Sequence, residues 1–241
     1  MAYLIKAGSL DNFSIRPAIE GLTSKKRDIF TKNSNIRSYA APETLSKTGG
    51  LGLGSFTLYK NFDGLRNLFN PQNEIYFIAW TWDLSGNAPY VYPAKSIEPG
   101  SWFHRVKKND SIQFIGEGLN LYPKQEIKGG VGVHIEVWES DNDIRNAGKI
   151  VEEITSTIQE SDLKNVLTGL AATNPTTATI AVISKAVLAL SGEIGKILKN
   201  NSDDFVNLFE GYYDVDSWTK GRETYKNPVN NPICEIILNR F

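Results

Sequence analysis

The spacing of apolar and polar positions predicts strands at both ends of this chain and helices between them. Glu74-Ile-Tyr-Phe-Ile-Ala-Trp-Thr-Trp82 is almost continuously apolar. A strand buried on both faces reads this way, so a central place in a sheet is expected. Val131-Gly-Val-His-Ile-Glu-Val-Trp138 predicts another strand, and Phe205–Tyr213 and Ile233–Leu238 two more. Shorter extended stretches are expected at Tyr3–Lys6, Ser55–Tyr59 and Ala88–Tyr92. Trp102–Val106 and Ser111–Ile115 flank Lys107-Lys-Asn-Asp110, which reads as a hairpin turn. Asn12–Lys47, Asn61–Asn73 and Gly116–Gly130 are expected as loops, the second with one helical turn at Leu65–Phe69.

Between the two β-rich parts the period changes. Ile150, Ile154 and Ile158 recur at every fourth position, and Leu163, Leu167 and Leu170 continue the stripe beyond a break near Ser161. A second helix is expected to start at Asn174-Pro175, a cap followed by a proline suited to the first helical position. Ile180, Ile183, Val187, Leu190, Ile194 and Ile197 give it an apolar stripe, and Asn200-Asn201 marks its stop. Two helices joined by a short turn make an antiparallel pair. The whole reads as one mainly β domain over residues 1–241, an antiparallel β-sandwich with a helical hairpin inserted at about residues 147–200. The hairpin is expected at one end of the sandwich, let into an acidic loop.

Composition narrows the function classes. Formal net charge is −1, which sets up no global field toward nucleic acid or an anionic membrane. No basic stripe with interleaved aromatics supports nucleic-acid recognition, and Lys25-Lys26-Arg27 reads as a solvated loop. The single cysteine, Cys234, allows no internal disulfide and no thiol metal site, and its apolar setting predicts inert core. Met1–Lys6 does not read as a signal peptide, which leaves cytoplasmic residence and export without a cleaved signal both open. Ala178–Leu198 is interrupted by Lys185, Glu193 and Lys196, a poor pattern for a membrane span. Gly49-Gly-Leu-Gly-Leu-Gly54 leads toward a strand and lacks a following Lys-Ser/Thr pair, so it reads as a flexible approach to that strand and not a phosphate loop.

The candidate chemistry lies in acidic residues around the insertion. Glu139, Asp141 and Asp143 alternate in one loop, Asp203 and Asp204 stand at the far end of the hairpin, and Asp83 follows the central strand. If these loops share one end of the sandwich, the carboxylates converge, and like charges that close call for a hard cation or for protons. Calcium suits such a set. Turn formation and helix capping account for the same residues without a ligand. Trp102-Phe-His-Arg-Val-Lys-Lys108 mixes aromatic and basic side chains, which makes Trp102, Arg105, Lys107 and Lys108 candidates for contact with lipid headgroups or a protein partner. Strand alternation splits those charges between two faces, as a solvated hairpin edge would.

Val137-Trp-Glu-Ser-Asp141, followed by Asp203-Asp-Phe-Val206, resembles the third calcium loop of the calcium- and lipid-binding domains first described in protein kinase C, the C-two fold. Trp82-Asp-Leu84 and Pro89-Tyr-Val91 are similar to the first-loop pattern. The resemblance covers roughly Phe56–Phe209 without the hairpin, and it implies that Asp83, Glu139, Asp141 and Asp204 are metal ligands. The chain departs from the pattern at Ala88 and Glu139, where the family's calcium binders have aspartates, and in the hairpin itself.

Enzyme chemistry has little foothold. His104 and His134 are the two histidines, His134 reads as a sheet residue, and no nucleophile elbow or His-Glu-x-x-His occurs. The expected function is a non-enzymatic binding module that uses the acidic loop end and hairpin on a membrane surface or protein partner, with calcium as the candidate cofactor. A toxin or pore-forming component with an insertable hairpin, and a carboxylate-dependent hydrolase, are the alternatives.

Overall fold

The computed structural model describes residues 2–6, 47–62, 72–94, 96–97, 101–140, 147–170, 177–200, 203–226 and 232–241. The first strands are β1 (Ala2–Lys6), β2 (Lys47–Leu58), β3 (Asn73–Trp82) and β4 (Tyr90–Tyr92). They are followed by β5 (His104–Val106), β6 (Ser111–Gln113), β7 (Leu119–Ile127) and β8 (Gly130–Glu139). Three helices come next, α1 (Ala147–Glu160), α2 (Asp162–Leu170) and α3 (Thr177–Asn200). The chain ends with β9 (Asp204–Asp214), β10 (Gly221–Lys226) and β11 (Cys234–Arg240). The expected cap at Asn174-Pro175, the turn at Leu65–Phe69 and the basic run at Lys25–Arg27 lie outside the described residues.

Two antiparallel sheets form. One has the order β1-β9-β8-β3-β4, with β5 also paired to β3, and the other has β10-β11-β2-β6, with β7 also paired to β2. Alternation along β3 and β8 explains why β8 is buried throughout and β3 everywhere but at Glu74. Ile75, Phe77 and Ala79 of β3, with Val131, Val133, Ile135 and Val137 of β8, face Leu51, Phe56 and Leu58 of the other sheet. Tyr76, Ile78, Trp80, Trp82 and Trp138 point the opposite way, onto the helices. The central position expected for Glu74–Trp82 follows from this double burial.

The helices therefore cover the outer face of the first sheet. This corrects the expectation of a hairpin at one end of the body. The insertion does leave β8 and return at β9, but it folds back across the sheet. Ile154, Ile158, Leu163, Val187, Leu190 and Ile194 are each under 2% exposed there. Each such side chain contributes about 1.5–3 kcal/mol by leaving water. The break between α1 and α2 falls at Ser161, whose hydroxyl donates to the Ile158 carbonyl at 2.6 Å. Gly132 of β8 stands directly opposite Trp82, and a Cβ there would collide with the indole. The missing side chain lets the ring lie over the backbone.

Three local expectations are corrected. The glycine run lies inside β2, not before it, because Trp218, Phe241 and Asn239 occupy the space that side chains at Gly49, Gly50 and Gly54 would need. The segments around Lys107–Asp110 do not form a hairpin. β5 joins β3 in one sheet and β6 joins β2 in the other, so the turn crosses between layers. Residues 119–127, expected as loop, form β7. Pro123 falls where the register with β2 slips between Gly49 and Leu51, a bulge at which its missing N–H costs no ladder bond.

Candidate functional site

The acids that flank the insertion do meet. β8 and β9 are antiparallel neighbours, and Glu139 is the direct partner of Asp204 at the end of their ladder. An insertion that leaves one strand and rejoins the next must bring its two ends together. Asp203 precedes β9, and its amide donates to the Leu198 carbonyl at 3.3 Å, closing the end of α3. Its Oδ2 accepts a hydrogen bond of 2.7 Å from the Tyr76 hydroxyl. Burial and then the Asp203 charge push that phenol well above its ordinary range, with Glu136 and Glu139 adding to the effect. Glu139 and Asp203 are buried, and Asp204 is exposed. Asp141 and Asp143 lie outside the described residues.

Asp83 does not join them. β3 pairs with β8 from Ile75 opposite Glu139 to Trp82 opposite Gly132, so Asp83 follows the far end of the strand. Those seven residue steps span about 23 Å at about 3.3 Å each. Its carboxylate is used locally. Oδ1 accepts from the Ser85 amide at 3.0 Å and from the Ser85 hydroxyl, and Oδ2 accepts from the Lys128 amide at 3.2 Å. Turn formation accounts for this residue. Asp83→Ala should cost about 2 kcal/mol in urea denaturation by stranding these donors, with Asp83→Asn costing less. Among the described residues no group of three or more His, Cys, Asp or Glu is arranged to hold a metal ion.

The aromatic and basic candidates separate too. Trp102 is 3% exposed and packs with Val151 of α1, which places its indole inside the protein. Arg105 pairs with Glu74 at 3.1 Å on the surface, a contact worth under about 1 kcal/mol. Lys107 and Lys108 are exposed on the crossover turn. Cys234 is fully buried, and burial pushes its thiol up to about 12, in keeping with inert core.

A second polar cluster lies beneath the helices. His134 and Glu136 are fully buried on the outer face of β8, and Glu210 of β9 stands directly across from His134. His134 Nε2 and Glu136 Oε1 are 3.2 Å apart, and His134 Nδ1 is 3.8 Å from Glu210 Oε2, an ion-pair distance. Glu136 also accepts from the Trp138 indole at 2.9 Å and from Ser191 Oγ of α3 at 2.6 Å. Trp80 of β3 stacks on the imidazole with centroids 4.0 Å apart. Burial lowers the His134 pKa, but hydrogen bonding and charge from Glu136 and Glu210 outweigh this and leave it raised.

Of this cluster, sequence reasoning singled out only His134, as a sheet residue. His134 and Glu136 two positions apart share one strand face, which was readable. That signal predicts a solvent face opposite Val133 and Ile135. Only the folded-back insertion turns it into an interior. A scan against protein-family models and a search of curated protein sequences found no match to this chain.

Proposed function

We propose that the chain is a non-enzymatic binding module, a C-two-like sandwich that engages a protein partner through its helix layer and the adjoining acidic loop end. The observation that carries this reading is the outward face of the insertion. Lys149, Glu152, Glu153, Lys185, Glu193 and Lys196 are all exposed on it, while the apolar stripes are buried below. Mixed charge over a whole face suits a protein surface of complementary pattern better than an anionic bilayer. A membrane-inserting hairpin would first have to withdraw its stripes from Trp80, Trp82 and Trp138. No described helix is long and apolar enough to cross a membrane. A hydrolase would need an accessible acid–base pair, and the His134 cluster is closed to solvent.

Affinity capture with the wild type and with Lys185→Glu/Lys196→Glu tests the reading. A protein retained by the first and lost by the second, at unchanged melting temperature, supports it. Equal recovery by both overturns the helix-layer assignment, and flotation with anionic vesicles would move it to a membrane. Calcium has its own test. Glu139 and Asp204 are direct ladder partners at the loop end, so calcium held there is expected to raise the melting temperature at millimolar concentration and Asp204→Asn to remove the rise. An unchanged melting temperature takes calcium out of the proposal.

A further inference from the structure

His134, Glu136 and Glu210 form the charged part of the contact between the sheet and its helix layer. Glu136 and Glu210 come from neighbouring strands, and the imidazole stands between them. α3 reaches the group through Ser191, which donates to the same Glu136 oxygen that faces His134. β3 supplies Trp80, stacked on the ring, and the Tyr76 hydroxyl, which feels the Glu136 charge. Among the described residues no Lys or Arg pairs with either carboxyl group, and the imidazole that stands between them is the group able to carry a positive charge there. A neutral imidazole offers these two buried acidic side chains no opposite charge within ion-pair distance, under a helix that covers them. Buried charge without a partner is costly, and the covered face can regain water only if the helix layer lifts.

We infer that the His134–Glu136–Glu210–Ser191 cluster is a proton-dependent latch that holds the helix layer on the sheet and releases it as pH rises. The inference is independent of what the helix layer binds. The direction follows from linkage. With the layer docked, His134 takes its proton more readily than in water, so docking is strongest below about pH 6.5 and weakens as pH climbs through the docked pKa. Docking at acid pH is the opposite of an acid-triggered hairpin release. Between those two pKa values the docking constant should fall about tenfold per pH unit.

Hydrogen exchange on the intact chain, corrected for the chemical rate and followed from pH 6 to pH 9, reads this directly. Amides of α1 and α3 should lose protection with rising pH, by up to about tenfold per unit, while those of β2 and β11 hold theirs. His134→Gln should flatten the helix response. Glu210→Gln, which keeps Glu136 and the imidazole, should shift the loss to lower pH and serves if His134→Gln does not fold. Equal loss in helices and sheet, no loss in either, or an unshifted profile in Glu210→Gln would overturn the latch.

Discussion

Glu136→Ala is expected to destabilise the protein by about 3–5 kcal/mol in urea denaturation at pH 6. The substitution removes the carboxylate that faces His134 and accepts from Trp138 and Ser191. Three buried polar groups, two on β8 and one on α3, then lose the same partner. The cost should be greatest at acid pH, where wild-type His134 carries the proton that Glu136 helps to hold, and smaller above the folded pKa. Glu136→Gln keeps the shape and one carbonyl oxygen, so it should fall between wild type and alanine. A loss under about 1 kcal/mol for the alanine variant would mean that water reaches the cluster.

Trp80→Ala should cost a similar amount, about 3–5 kcal/mol, for a different reason. Trp80 is fully buried at the centre of the sheet–helix interface and stacks on His134. Its removal opens a cavity under the helices that a rigid sheet cannot close. Among the described residues the indole N–H has no hydrogen-bond partner, so Trp80→Phe gives up packing alone and should be tolerated much better. Calorimetry on the two variants separates packing from polar contributions. Equal losses would show that the indole nitrogen is tied to something after all.

The strands that sequence reasoning found are those with strong self-evident patterns. β3 is apolar on both faces because it serves two cores, and β8, β9 and β11 each turn apolar side chains into the core between the sheets. The helix stripes and the break at Ser161 were equally legible, because a period near four is a property of the helix alone. β7 was missed because Pro123 and its polar neighbours resemble loop, and only the register slip against β2 makes them acceptable in a ladder. The false hairpin around Lys107–Asp110 has the same origin: adjacent strand-like segments are compatible with pairing or with crossing between sheets.

The same division applies to the site. That Glu139 meets Asp203 and Asp204 could be read from the chain, because an insertion between neighbouring antiparallel strands must return to where it left. That Asp83 stands apart could not, since strand direction places it some seven residues along the sheet. The chain alone determined the strongly patterned strands and the helices, where the insertion begins and ends, and that its helices have apolar stripes to hide. Only the tertiary structure decided what hides them. Local pattern records that a face must be buried but not which surface covers it, and here the covering surface of the helices is a sheet face carrying His134, Glu136 and Glu210, whose polarity alone would have assigned it to water.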